Sequence, residues 1–294
     1  MKLPRYWAKG SATTGMRTRN PATGQTAGVY ACWGWSDVSA DEAEARGKQR
    51  ADASARIAQD GKPPDRYLYG DRPLREEILD EWKADDATTY AAITRNAYGC
   101  QVLNTASIMF VDVDLPEPSA SSSLMRGLGG LFGKRGPTPR EQQETDAVAK
   151  VDDMVRRDAH CGVRVYRTRG GLRYLFTHSH AEPGSQSTLA IMNALGADPL
   201  YVRLCKTHEC FRARLTPKPW RCGMSALRVR YPWPDGKSEG QARDWTKEYE
   251  QKSERYATCK FLKHLGQSGT DAEIDRVVGF HDEKTRAMSG LDLA

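Results

Sequence analysis

The sequence predicts an α+β fold in which a mixed or antiparallel sheet is flanked by N- and C-terminal helices. Helix-period segments lie towards both ends of the chain, and short β-branched runs separated by turn residues lie in its middle. One of those runs, residues 107–115, is apolar enough to be a buried strand. The length of 294 residues permits one large domain or two small ones, and we expect a single domain.

Residues 1–86 are expected to form an N-terminal, mainly helical flank. Residues 30–36 are a candidate strand, and Ser39 with Glu42 forms a capping box for an alanine-rich helix. A second helix is predicted from Asp71, because a proline suits its first turn. Three apolar residues would share one face of that helix: Leu74, Ile78 and Trp82.

Residues 87–235 are expected to form the core of the domain. Residues 90–94, 100–103 and 108–115 are predicted strands of an antiparallel meander, because turn residues separate them. The Ser- and Gly-rich residues 116–139 are predicted to be a flexible insertion. The other predicted elements are a helix over 140–159, a hairpin over 162–177, a helix over 185–195 and, in a C-terminal flank over 236–294, helices over 241–265 and 272–286.

Two carboxylates end the most apolar strand. Side chains alternate along a strand, so Asp112 and Asp114 point to the same face. Adjacent carboxylates repel each other, and hard cations such as Mg²⁺ or Mn²⁺ accept oxygen ligands of this kind. The pair is therefore a candidate metal site. The alternative is an ordinary core strand whose carboxylates cap the next turn.

The hairpin over 162–177 carries a possible anion site. Arg164 and Thr168 share one face of its first strand, and Arg173 follows the turn glycines Gly170 and Gly171. Glycines allow a backbone to approach a ligand closely, and turn amides beside arginines can hold phosphate. The alternative is a simple turn with solvated arginines.

A stiff basic segment follows at residues 210–222. Arg212 and Arg214 alternate on one face, and two prolines flank Lys218. Guanidinium groups suit phosphate oxygens, and the neighbouring Phe211 and Trp220 are typical of a nucleotide or nucleic-acid contact. The alternative is a solvated basic face.

Cysteine and histidine residues near this segment raise the question of structural zinc. Their spacing is not that of paired Cys-x-x-Cys knuckles, and buried thiols are the alternative. The four residues are Cys205, His208, Cys210 and Cys222.

The whole-chain composition favours an anionic partner and the cytoplasm. The formal net charge is +6, and the 7 cysteines lack the spacing of a disulfide framework. No stretch is apolar enough to span a bilayer, and the N-terminus does not resemble a secretory signal, so we expect no membrane partner. Neither a Walker loop nor a nucleophile elbow is present.

Taken in order, the motifs resemble the catalytic core of the archaeo-eukaryotic primase superfamily, which includes the primase-polymerases. That family has an Asp-x-Asp pair at the end of a palm strand, as at Asp112 and Asp114. Its second motif is a strand, a small-residue turn and a histidine, to which Thr168–Arg173 is similar with arginine in place of the histidine. Asp198 and the following basic segment are similar to its third motif. The resemblance covers about residues 90–230.

The resemblance implies an RRM-like, palm-type sheet and metal-dependent nucleotidyl transfer, that is, synthesis or extension of a primer by a DNA polymerase or primase. Asp112, Asp114 and Asp198 would hold Mg²⁺ or Mn²⁺. The implied partners are DNA, nucleoside triphosphates and a replication protein such as a helicase. Residues that would contact the triphosphate or template are Arg164, Thr168, Gly170, Gly171, Arg173, Arg212, Arg214 and Lys218.

Two other functions remain open. Paired carboxylates beside basic residues also fit a metal-dependent nuclease of a mobile element. Arg173, which replaces the family histidine, favours a noncatalytic replication module that binds nucleic acid and has lost the chemistry.

Overall fold

The structure, a computed structural model, describes residues 1–13, 29–59, 72–116 and 137–294. Within these ranges the chain forms ten β-strands and six α-helices. The strands make one two-stranded and two four-stranded sheets, and neighbouring strands in each are antiparallel. The predicted α+β class with flanking helices is therefore confirmed.

The N-terminal unit is a hairpin covered by a helix. Strands β1 (Tyr6–Thr13) and β2 (Val29–Ser36) pair, and α1 (Ala40–Gln59) packs on one face of them. Glycines bring helix and hairpin unusually close. A Cβ at Gly10 would lie 1.9 Å from a backbone nitrogen of α1, and one at Gly34 would lie 2.0 Å from a carbonyl oxygen of α1.

The first four-stranded sheet has the order β3, β4, β5, β9. Its strands are β3 (Glu77–Lys83), β4 (Thr89–Arg95), β5 (Gln101–Thr105) and β9 (Phe211–Arg214). The prediction of a helix from Asp71 is wrong within the described residues, because residues 77–83 pair with β4 instead. Trp82 is buried in this strand, edge-on to Phe280, and this distant packing overrides the helical spacing.

The second four-stranded sheet has the order β10, β7, β8, β6. Its strands are β6 (Phe110–Asp114), β7 (Gly162–Thr168), β8 (Gly171–Phe176) and β10 (Cys259–Gly266). The predicted hairpin is confirmed by the β7–β8 pairing. The predicted meander is wrong at its last step, because β5 pairs with β9 whereas β6 pairs with β8 of the other sheet.

Five further helices complete the described chain. The helices predicted over 140–159, 185–195 and 272–286 are confirmed, whereas the one over 241–265 ends at Ser253 and its last residues belong to β10. Most of the predicted insertion, residues 117–136, lies outside the described residues. The helices are α2 (Pro139–Arg157), α3 (Gln186–Leu195), α4 (Pro199–His208), α5 (Gly236–Ser253) and α6 (Ala272–Thr285).

The main hydrophobic core joins the two larger sheets to their helices. Leu103 of β5, Phe110 of β6 and Tyr174 of β8 are fully buried in it, together with Val151 of α2 and Val277 of α6. Among the residues that the structure describes, no helix combines the length and the apolar character needed to cross a membrane.

Candidate functional site

The first feature of the site is an ion pair between neighbouring strands. Asp112 of β6 is in register with Arg173 of β8. Nε and Nη2 of Arg173 donate to the two carboxylate oxygens of Asp112 at 2.7 and 2.9 Å. Burial alone would lower the pKa of this guanidinium, but the adjacent Asp112 raises it above its ordinary value, so Arg173 stays charged. Asp112, one of the predicted metal ligands, therefore already has a positively charged partner within the protein.

The other two predicted metal ligands lie close to this pair. The backbone N–H of Asp198 donates to the Asp112 carbonyl at 3.0 Å, and the Asp198 side chain caps α4. Asp114 is exposed, and its pKa is raised by partial burial and by the negative charges of Asp198 and Asp112. The fold therefore brings all three aspartates to the end of β6.

The three aspartates do not form a preorganised metal triad. In the described part of the chain, only one group of three His, Cys, Asp or Glu residues has its donor atoms within 4.8 Å of one another. That group is His180, Asp271 and Glu273, which lies outside the predicted site. The possible zinc ligands Cys205, His208, Cys210 and Cys222 also do not form such a group.

Three cations, Arg214, Lys218 and Arg221, lie close to Asp114, and Arg169 lies close to Arg221. We call these four residues the cationic cluster. Burial and the charges of Arg214 and Arg221 lower the pKa of Lys218, and burial with the charges of Arg214 and Arg169 lowers that of Arg221. Asp114 opposes both shifts. Because Asp112 is paired with Arg173, the four cations of the cluster face two other acids at the end of β6, Asp114 and Asp198, and positive charge is in excess.

Arg214 presents an unsatisfied donor in this cluster. Its Nε is buried and has no hydrogen-bond partner among the residues that the structure describes. A buried, unpaired donor costs about 1–3 kcal/mol. A hydrogen-bond acceptor that reached this nitrogen would remove that cost.

Beside the cluster is a cavity of about 650 Å³, which we call the central cavity. Asp112, Arg214 and Lys218 line it, together with residues of β1, β2 and α1. Tyr98, 46% exposed, also lines it. The volume lies within the range of ligand-binding pockets.

Several predicted ligand-binding residues are engaged within the protein. Arg212 lines the cavity but is buried, donating twice to Glu76 at 2.8 Å and once to Asn104 at 2.6 Å. Arg164 bonds to Tyr166 and to Asp282 of α6. The side chains of Arg164 and Arg212 are therefore used in ion pairs and hydrogen bonds within the fold.

The glycine turn of the predicted hairpin also has a structural role. The N–H of Gly171 donates to the Thr168 hydroxyl at 3.0 Å, which closes the turn. A Cβ at Gly171 would lie 2.0 Å from the carbonyl oxygen of Val113, so a glycine is needed where β8 meets β6. Gly170 is closer to the candidate site, since its Cβ position is 3.5 Å from Oδ1 of Asp114.

Sequence reasoning missed several residues of the site. Trp33 and Trp35 are two residues apart in a predicted strand, and this spacing indicates that both side chains face the same side of it. Arg221 lies within the basic segment of residues 210–222. No local pattern marked Tyr98 or Arg169 as neighbours of that segment.

Comparison of the chain with models of protein families, with curated proteins and with solved structures finds no match in any of the three.

Proposed function

We propose that the chain binds nucleic acid, holding its phosphates at the cationic cluster. The observation that carries this proposal is Arg214, whose buried Nε lacks a partner beside Lys218 and Arg221. Each of these cations is repelled by its neighbours, and a phosphate dianion or diester would relieve that repulsion. Arginine and lysine together supply the fork and point-charge contacts that phosphate oxygens accept.

Exposed aromatic rings beside the cluster support nucleic acid over a free phosphate. Tyr98 and Trp220 meet edge to face with ring centroids 5.4 Å apart, and they are 46% and 50% exposed. Lys218 lies 5.5 Å from the Trp220 ring centroid. Nucleobases stack on such rings while the backbone follows adjacent basic residues.

The test is fluorescence anisotropy with a labelled oligonucleotide at several salt concentrations. We expect R214A/K218A to weaken binding by about 100-fold, because two charge-assisted contacts are lost. The dependence of log Kd on log salt should also become shallower by about one to two. K263A, at an exposed lysine of β10, is the matched control. Unchanged binding by R214A/K218A would overturn the proposal.

A second candidate is primase-like nucleotidyl transfer, favoured by the convergence of three aspartates beside the cations. Asp114 and Asp198 offer carboxylate oxygens suited to Mg²⁺ or Mn²⁺, whereas both oxygens of Asp112 already accept from Arg173. When bound, the ion would activate a 3′-hydroxyl and stabilise the leaving pyrophosphate. The protein's own contribution is to hold the phosphates at the cationic cluster.

One incubation separates the three functions. The protein is mixed with Mn²⁺, a labelled primer on its template and nucleoside triphosphates. Longer products that disappear in D114A and D198A would support transfer, and shorter products would support a nuclease. Unchanged DNA together with intact binding would support the noncatalytic module.

A further inference from the structure

The N-terminal hairpin forms an aromatic wall whose orientation follows from its packing. Helix α1 covers one hairpin face so closely that Gly10 and Gly34 leave no room for a Cβ. Side chains alternate along a strand, so Trp33 and Trp35, one residue either side of Gly34, point to the other face. Trp7, in register with Trp35, shares that face. All three tryptophans line the central cavity.

Two guanidinium groups lie over rings of this wall. The guanidinium of Arg75 lies 4.3 Å from the Trp33 ring centroid, and that of Arg50 lies 4.8 Å from the Trp35 centroid. Nη1 of Arg50 also donates to the Trp33 carbonyl at 2.6 Å, which holds this arginine against the hairpin. Both guanidinium planes and indole rings are surfaces on which unpaired bases stack.

The cavity thus has two unlike walls. The hairpin wall is aromatic, with the Trp7 and Trp35 rings 5.8 Å apart and tilted by 45°, whereas Arg214 and Lys218 come from other elements and belong to the cationic cluster. A single strand of nucleic acid, with its bases facing the tryptophans and its phosphates facing the cations, matches this arrangement. The cavity volume of about 650 Å³ suits one or two nucleotides of a single strand. A duplex is too bulky for a pocket of this size, and it buries the base faces that the wall would contact.

We infer that the central cavity is a binding site for single-stranded nucleic acid, with bases against Trp33 and Trp35 and phosphates at the cationic cluster. This inference rests on the proposed function and deepens it by naming the form of nucleic acid bound. It assigns a role to the β1–β2–α1 unit, to which the primase resemblance does not extend.

The experiment compares three probes with the full chain. They are a labelled single-stranded oligonucleotide, a blunt duplex of the same length, and inorganic pyrophosphate measured by calorimetry. Because a duplex has the higher charge density, a purely electrostatic site would favour it. We expect the single strand to bind at least about tenfold more tightly than the duplex, as two lost stacking contacts would each be worth about tenfold.

Two matched variants test the wall itself. W33A/W35A should lose about 10- to 100-fold in single-strand affinity and retain pyrophosphate binding, whereas W33F/W35F should keep most of both. Circular dichroism and thermal unfolding would verify that each variant is folded. Oligonucleotide binding without single-strand preference, or single-strand affinity unaltered in W33A/W35A, would overturn the inference and leave the proposed function standing. Binding of neither oligonucleotide, with or without binding of pyrophosphate, would overturn both.

Discussion

Arg173 and Asp112 occupy facing positions of two paired strands and share a two-point ion pair, with N–O distances of 2.7 and 2.9 Å. Arg173 stands where the primase resemblance would place a histidine. The same Arg173 donates to the backbone carbonyl of Arg214 at 2.9 Å. A buried cation thus links the aspartate strand to the cationic cluster, so the residue that departs from the family pattern has a structural role in this site.

Replacing Arg173 should destabilise the fold strongly. R173M would leave Asp112 partly buried without its counter-ion, and loss of one partner of such a pair costs about 3–5 kcal/mol. The free energy of unfolding from urea titrations followed by circular dichroism measures this. R173M/D112N should recover most of the loss, because no unpaired charge remains. K48A, which breaks an exposed ion pair with Asp52, should cost less than about 1 kcal/mol.

Stability should fall in acid because of the fully buried His281. Burial, with the charge of Arg173, lowers the pKa of His281 from 6.5 to about 4, although Asp282 and Asp112 oppose the shift. Between pH 6.5 and 4 the unfolded chain therefore binds a proton at this residue that the folded chain does not. The free energy of unfolding should drop by about 3 kcal/mol across that window through this histidine alone.

The contribution of His281 is measured by difference. Urea unfolding of H281Q at several pH values should show a weaker dependence below pH 6.5 than the unaltered chain shows. Buried His208, whose pKa is also lowered to about 4 by burial, would keep part of the dependence in that variant. H160Q, at an exposed histidine, is the control. Equal slopes for H281Q and the unaltered chain would contradict the prediction.

The sequence predicted the helices and strands that are determined by residues within or next to them. Ser185 and Gly196 bracket α3 as cap residues, and Thr138 with Glu141 forms the capping box of α2. The strand ending in Asp114 was likewise recognisable from its own composition.

The remaining elements depend on partners far along the chain. Residues 77–83 form a strand because β4 offers an edge and Trp82 packs on Phe280 of α6. Residues 259–266 form a strand because they pair with β7, a contact that their charged, helix-compatible sequence does not reveal. The pairing of Arg173 with Asp112 likewise depends on the register between β6 and β8, two strands that are about 60 residues apart in the sequence. Tertiary contacts override local propensity in the first two cases, and in the third they set a register that local propensity does not determine.

Removing the charge of Asp114 should distinguish a phosphate site from a metal-bridged one. Without divalent ions, D114N should tighten oligonucleotide binding about fivefold, because one acid no longer opposes Lys218 and Arg221. Calorimetry or anisotropy in the presence of a chelator measures this. D85N, at an exposed aspartate, should have no effect.

The same variant then tests the metal. If Asp114 holds Mn²⁺, the ion should strengthen binding by the unaltered chain and fail to do so in D114N. Weaker binding by D114N in the chelator would contradict the assignment of Asp114 as a neighbour that opposes the cationic cluster.

The close packing of α1 on the hairpin leaves no room for a side chain at Gly34. A Cβ in G34A would meet backbone atoms of α1 at 2.0 and 2.3 Å, so helix and hairpin must separate. We expect a loss of about 1–3 kcal/mol in unfolding free energy, together with weaker single-strand binding and intact pyrophosphate binding, because the cationic cluster lies on other elements. G279A is the matched control, since that helical position has open space and alanine there should stabilise by about 0.5–1 kcal/mol. If G34A altered neither the free energy of unfolding nor the affinity for single-stranded nucleic acid, the aromatic wall would not depend on the packing of α1 against Gly34.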